Sequence, residues 1–370
     1  MIKISGPQMD ELLEWICTIQ QIPSPTFHEE NRAAYMLAEF NRLGLADGHR
    51  DSTGNVLARW PGGDGRAVLV SAHLDTVHEE LDSLPLERKD NYLTGPGVAD
   101  NATGLASLLA LARHMVETHP RLAGDLWLAA NVCEEGLGNL VGMSALLDAF
   151  EGRLRACLVL EGLGLGQVCH RGLGVARFEV SAETPGGHSW VDYGSPSAIH
   201  ELAKVITALA EMPMTGKSRS SFNIGVIHGG TSVNTIASSA SFLLDLRAEE
   251  QQDLNHLCDQ VRGIVNAHGR KNVRFSMKQI GIRPAGEFPA SHPLVQLGVQ
   301  VLKELQIPAV LEIGSTDANI PLSRGCPAIC IGLTRGSSPH TVREQIEIEP
   351  LKTGLTQLFM LVESVWQAVR

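Results

Sequence analysis

The sequence predicts an α/β fold, a mostly parallel sheet covered by helices, with a smaller α+β domain inserted into it. Two observations predict this. Apolar strands alternate with helices as far as Glu161 and again after Arg283, the pattern of a parallel sheet buried on both faces. Between Gly172 and Arg283 the strands instead alternate apolar and polar residues, the pattern of antiparallel strands with one face in water. The boundaries read as 1–171 and 284–370 for the α/β domain and 172–283 for the insertion.

A first helix over about Asp10 to Gln20 stops at the breaker Ile22-Pro23-Ser24-Pro25-Thr26. A second, Glu29 to Leu43, stops at Gly44, a natural C′ residue. Val56 to Trp60 and Ala67 to His73 read as strands joined by a hairpin turn at Pro61-Gly62-Gly63-Asp64-Gly65. An apolar helix follows from Leu105 to Met115, then strands at Leu126 to Val132 and Cys157 to Leu160. In the insertion, Ala176, Phe178 and Val180 mark the inner face of one strand, and Phe222, Ile224 and Val226 mark a second. Phe242, Leu244 and Leu246 mark a third, and Val273, Phe275 and Met277 a fourth. One helix among them starts at Ser195-Pro196, with serine as N-cap and proline at N1. The other spans about Glu249 to His268. The order βαββαβ is the split, ferredoxin-like unit. Arg283-Pro284-Ala285-Gly286 reads as the return hinge. Helix His292 to Leu305, strands near Ala309 and Ala328, and a long helix from Leu351 to about Ala368 complete the α/β part.

The chain has 370 residues, 44% hydrophobic, enough for two cores, and a net charge of −11. That charge argues against nucleic acid or an anionic membrane as a partner. The seven cysteines are an odd number without a Cys-x-x-Cys pair, and most lie in apolar runs. They read as buried free thiols in a reducing compartment. No signal-peptide pattern opens the chain, and no apolar run approaches the ~20 residues of a membrane span. The expected location is cytoplasmic.

Metal-ligand side chains recur where strands end. His73 and Asp75 follow Ala67-Val68-Leu69-Val70, Glu134-Glu135 follow Leu126 to Val132, and Glu161 follows Cys157 to Leu160. Asp100 lies in Gly95-Pro96-Gly97-Val98-Ala99-Asp100-Asn101 ahead of a helix, and His340 follows a strand and a Gly/Ser loop. Ligands bind at the carboxyl ends of strands in such sheets. Residues i and i+2 of a strand share a face, so His73 can ligate a metal while the Asp75 carboxylate takes its other ring N–H. Two histidines and three carboxylates can hold two Zn²⁺ ions if one carboxylate bridges. One of the paired glutamates is left over as a base. Taken alone, Asp100 is also placed to cap the following helix, and Glu134 could be an outward loop residue.

The segments SAHLDTV, GPGVADNATG, NVCEEGLG, LEG, GGHSW, HGGTSVNTI, LLDLR, GSTDAN and PHTVRE run in order from Ser71 to Glu344. Together they resemble metallopeptidase family 20, the di-zinc peptidases and deacylases that include glutamate carboxypeptidase, peptidase T, acetylornithine deacetylase, succinyl-diaminopimelate desuccinylase and aminoacylase. The resemblance implies that His73, Asp100 and Glu161 hold one zinc and Asp100, Glu135 and His340 the other, with Asp100 bridging. Co²⁺ or Mn²⁺ can occupy the same ligands. It implies Glu134 as general base on a metal-bridging water, with Asp75 behind His73, and a cis peptide bond between Asp100 and Asn101. His188 would stabilise the oxyanion, often from the partner subunit of a homodimer, and the inserted domain would serve as lid and dimerisation domain. Asn234 and Arg247 would bind substrate, and Gly314 lies on a loop that would line the specificity pocket. On their own residues, His188 could be a solvated loop histidine, Arg247 a surface arginine and Gly314 part of an ordinary turn.

The implied activity is zinc-dependent hydrolysis of an amide bond in a short peptide or an N-acyl amino acid. The Glu134-to-Asn139 and Gly-Gly-His-Ser-Trp segments look most like the peptidase T-like branch. A small-molecule N-deacylase of the same family is the alternative, and a non-catalytic binding protein is the alternative of another class.

Overall fold

Val68, Leu69, Val70 and Ala72 are fully buried because the strand Gly65–His73 has a parallel neighbour on each edge, Gly124–Asn131 and Leu154–Leu163. Its side chains feed two cores. Val68, Val70 and Ala72 pack with the helices Gly6–Gln20, Gly104–Thr118 and Leu351–Ala368. Leu69 packs on the other side with Val141–Phe150 and the short helix Asn319–Ser323. Truncating such a residue costs about 2–5 kcal/mol, so the strand that ends at His73 is a rigid base. The computed structural model describes residues 4–78 and 84–369, and over these the chain divides into two compact units. One is the chain up to Gly172 and from Gly286 onward, and the other is Leu173–Ala285.

In the first unit the sheet runs Ala46–Arg50, Val56–Trp60, Gly124–Asn131, Gly65–His73, Leu154–Leu163, Ala328–Thr334, Gln167–Gly172, Gly286–Glu287, with Val310–Gly314 also paired to Gln167–Gly172. The expected hairpin between Val56–Trp60 and Gly65–His73 is therefore wrong, because Gly124–Asn131 lies between them. Pro61 to Gly65 instead cross over residues 122–124. A Cβ on Gly62 would sit 2.0 Å from the Gly124 carbonyl oxygen, so only glycine lets the crossover pass so close. Helix ends follow local chemistry. Ser5 and Gln8 form a capping box with Pro7 in the first turn, so the first helix starts at Gly6, earlier than expected. The second ends before Gly44, which has φ +82°.

The second unit has the order βαββαβ, with an antiparallel sheet Ser220–Gly229, Ser239–Ala248, Gly174–Glu183, Arg274–Arg283. Phe178, Val180, Phe242 and Leu244 pack beneath Leu202, Val205, Leu257 and Val261 of the two helices. Its first helix is Ala198–Ala210 with Ser197 at the N-cap position, so Ser195-Pro196 lie outside it. Val226 is exposed although the alternation put it inside. The register shifts between Ile224 and Val226, and such a bulge turns the following side chain to the other face.

Candidate metal centre

Asp100, Glu134, Glu135 and His340 sit on turns or loops whose backbone is fixed by other residues, and His73 and Glu161 sit on strands. The turn after Gly124–Asn131 carries Glu134 and Glu135. It needs Gly136 at φ +54° and Gly138, where a Cβ would lie 2.5 Å from the Cys133 carbonyl oxygen. Asp100 lies in the π-type turn Val98–Thr103, and the Asp100–Asn101 bond is cis, as expected. The Asn101 side chain donates to the Leu160 carbonyl at 2.8 Å and so ties this turn to the strand bearing Glu161. Glu161 lies inside Leu154–Leu163, not after its end, because Ala328–Thr334 pairs with that strand as far as Leu163. His340, at φ +62°, sits in the loop between Gly336–Ser337 and Gln345–Glu347.

The six side chains converge. His73 Nε2 lies 2.9 Å from Asp100 Oδ1 and 3.7 Å from Glu161 Oε2. His340 Nε2 lies 2.9 Å from Asp100 Oδ2 and 3.5 Å from Glu135 Oε1. The two oxygens of Asp100 thus face two different imidazoles. His73, Asp100 and Glu161 form one group that could hold an ion, and Asp100, Glu135 and His340 a second. Glu134 forms a third group with His73 and Glu135.

Electrostatics sets these groups against one another. Burial, then the charges of Asp100 and Glu134, push Glu135 up to about 10. Burial pushes Glu161 up to about 7. Burial would raise Asp100, but contacts with His340 and His73 hold it well below the usual range. Burial would lower His73, and contacts with Asp100, Asp75 and Glu161 overcome it and push it well up. Four buried or half-buried carboxylates share two imidazoles. Divalent cations would relieve this crowding, and imidazole nitrogen with carboxylate oxygen is a donor set that suits zinc.

Asp75 has a second part besides the one expected. His73 Nδ1 is 3.0 Å from the Asp75 backbone oxygen and 3.5 Å from its carboxylate. A ring N–H given to that carbonyl leaves Nε2 facing the cluster. The buried Asp75 carboxylate also accepts the N–H groups of Glu134 and Glu135, at 2.9 and 2.8 Å, and the Thr26 hydroxyl. Glu344 does the same on the other side. It accepts the N–H of Ala99 at 2.6 Å, of Asp100 at 2.8 Å and of His340 at 3.3 Å. Arg32, buried, donates to the carbonyls of Leu74 and Ile22. Asp317, fully buried, accepts from Asn131 at 2.7 Å, and burial with the charge of Glu134 pushes it up to about 8. The sequence reading gave Arg32 and Glu344 no role, and placed Asp317 only on the loop expected to line the specificity pocket. A glutamate four residues after a candidate ligand histidine was the available signal for Glu344.

Of the other expected residues, Gly314 belongs to the first unit and His188, Asn234 and Arg247 to the second. Gly314 ends the strand Val310–Gly314, and a Cβ there would meet only Cys169 and Thr316 at ordinary distance, so space does not demand glycine. His188 is exposed, and its Nδ1 accepts from the N–H groups of Trp190 and Val191. The Ser189 N–H donates to the Asn234 carbonyl at 3.0 Å, so the His188 and Asn234 loops are neighbours. Arg247 is not with them. Its Nε is 2.7 Å from Asp245, which also holds Arg177. It lies eight residues along its strand from Ser239, at the end nearest that loop pair, or about 26 Å at about 3.3 Å per residue.

A model of peptidase family M20/M25/M40 matches residues 69–364. The chain belongs to that family. A succinyl-diaminopimelate desuccinylase of Corynebacterium glutamicum is 30% identical over 363 residues, covering 93% of this chain and 95% of its own. The crystal structure of an aminopeptidase from Bacillus cereus aligns with TM-score 0.79 at 21% identity, covering 97% of this chain and 99% of that one. A Bacillus subtilis protein described as a dinuclear metal-binding peptidase of family M20 aligns with TM-score 0.72 at 16% identity, over 99% of this chain and 100% of that one. The M20 chain is a hydrolase of a family of peptidases and deacylases. Among its described residues no helix is long and apolar enough to cross a membrane.

Proposed function

We propose that this M20 chain hydrolyses the amide bond of short peptides or N-acyl amino acids with two zinc ions. The observation that carries the reading is Asp100, whose two oxygens each lie 2.9 Å from a different histidine. His73, Asp100 and Glu161 would hold one ion, and Asp100, Glu135 and His340 the other. When bound, such a pair supplies Lewis-acid polarisation of the carbonyl and acidifies water. A Glu134 carboxylate oxygen takes the proton of the attacking water and passes it to the leaving nitrogen. Asp75 and Glu344 hold the backbone of the ligand-bearing turns, so the ligands need little rearrangement. His188 donates to the carbonyl oxygen as it gains charge. Arg247 offers a planar fork to a substrate carboxylate, Asn234 a polar contact, and the Gly314 loop a pocket wall.

The separation inside the second unit supports a homodimer. A site for a short substrate cannot take both Arg247 and the His188–Asn234 pair from one unit when about 26 Å of strand lies between them. A second copy can supply one of the two. The exposed edge strand Ser220–Gly229, with Val226 and Ile227 outward, offers a surface for that copy. The seven free cysteines fit a reducing, cytoplasmic setting.

The second reading is an N-deacylase, favoured by the 30% identity to a desuccinylase. A hydrolysis screen of the zinc-loaded protein separates the two. Di- and tripeptides are run against N-acetyl and N-succinyl amino acids, with a chelated control. Peptide turnover that is lost on chelation supports the first reading, and turnover of acyl amino acids alone supports the second. Binding of these compounds without any turnover would make it a binding protein.

A further inference from the structure

A cavity of about 500 Å³ in the first unit is lined by Arg66, Arg155, Arg324, His292 and Cys326. It lies at the amino-terminal ends of parallel strands, the end away from the metal centre. Arg66 is the second residue of Gly65–His73, Arg155 the second of Leu154–Leu163, and Cys326 precedes Ala328–Thr334. In a chain of net charge −11, three guanidinium groups gathered around one opening mark a place for an anion. Arg324 is partnered by Asp148. Arg155 donates to the Val369 carbonyl, while its buried Nε has no partner among the described residues.

A dithiol forms one wall. Cys326 Sγ lies 3.8 Å from Sγ of Cys157, which is fully buried behind it. The Cys157 N–H donates to the Pro327 carbonyl at 2.8 Å, so the two backbones are already tied. The contact with Cys157 and the nearby Arg66 charge hold the Cys326 thiol below its ordinary value against burial. The contact with Cys326 and burial push Cys157 well up. Cys326 lines the cavity and Cys157 is fully buried behind it, so an incoming molecule meets Cys326 first.

We propose that this cavity is a thiol-modification site for a small disulfide bearing carboxylates, with Cys326 as the attacked and attacking sulfur and Cys157 as the resolving one. The Cys326 thiolate attacks one sulfur of the disulfide. The S–S bond of the small molecule breaks, a mixed disulfide forms, and one small thiolate leaves. The Cys157 sulfur then attacks Cys326, displaces the second small thiolate and gives it its proton. One small disulfide is reduced to two thiols, and two cysteine thiols are oxidised to one Cys157–Cys326 disulfide. The guanidinium groups hold the carboxylates of the incoming molecule, which sets this pair apart from Cys169 and Cys330, opposed on neighbouring strands but not on this wall.

The test treats the full-length, folded protein with oxidised glutathione and maps cysteines by peptide mass. The expected product is a Cys157–Cys326 disulfide with no glutathione retained. Cys157→Ser should trap one glutathione on Cys326, and a short quenched reaction of the parent should show the same adduct should that variant fail to fold. Cys326→Ser should leave Cys157 unmodified. Arg66→Glu should slow the reaction with oxidised glutathione about tenfold, and leave the rate with neutral 2-hydroxyethyl disulfide unchanged. Modification of other cysteines ahead of Cys326 would overturn the proposal. Equal slowing with the charged and the neutral disulfide would overturn the part played by the arginines.

Discussion

Glu201 in the second unit and Glu161 in the first are both removed from bulk water, and their surroundings are opposite. Glu201 is held by two nitrogens of Arg270, at 2.5 and 2.8 Å, and by Lys204 at 2.8 Å. Contact with Arg270 is the main reason its carboxyl sits at about 2. Glu161 faces His73 with Asp100 and Glu134 beside it, and burial pushes it up to about 7. The second unit neutralises its carboxylates with its own cations, as Asp245 with Arg177 and Arg247 also shows. The first unit gathers carboxylates around two imidazoles and lets them repel. A fold gains nothing in stability from such crowding, so the crowded site is built for charge brought from outside.

The largest effect that separates the two regions is on turnover. Glu134→Gln should cost about 10²–10⁴-fold in kcat and leave the metal content unchanged. A variant nearly as active as the parent would remove Glu134 as the base. His188→Ala comes next, with about 10²–10³-fold lost from kcat and no metal lost. Mixing His188→Ala chains with Glu134→Gln chains should partly restore activity, because one of the two sites in a mixed dimer is then intact. No recovery, or a monomer in sedimentation, would remove the cross-subunit reading.

The backbone clamps give a smaller effect. Asp75→Asn and Glu344→Gln should each weaken zinc binding by about 10–100-fold, read from competition with a chromogenic chelator. Unchanged affinity in both would mean that the ligand turns hold their shape unaided. The smallest effect lies in the second unit. The folded value of Glu201 is below its ordinary 4.5, so its contribution is present above about pH 4.5 and is lost as the pH falls toward 2. Arg270 is half exposed, so solvent screens the pair and Glu201→Gln should cost about 1 kcal/mol at neutral pH. Its denaturation midpoint should converge with that of the parent in acid. A constant difference across that range would contradict the assignment.

The candidate ligands were legible because their chemistry resides in side-chain type and in recurrence beside the strands of the parallel sheet. His73, Asp100, Glu135, Glu161 and His340 all reach one cluster. The strand order was less legible. The Pro61-to-Gly65 segment looks like a hairpin, and only the distant Gly124–Asn131 decides otherwise. Arg32 was illegible for a similar reason, and for Glu344 only its spacing from His340 hinted at a role. Glu344 meets the N–H groups of Ala99 and Asp100 more than two hundred residues away, and that spacing does not record such distant partners. Val226 was misplaced because a bulge beside Gly225 breaks the alternation without a change of residue type.

The central claim is that Asp100 joins two metal sites, and zinc titration of the chelator-stripped protein tests it most directly. The parent should take up two zinc ions per chain. Glu161→Gln and Glu135→Gln should each weaken one of them, and Asp100→Asn should weaken both. A parent that binds one ion, or an Asp100→Asn chain that still binds two with parental affinity, would contradict it.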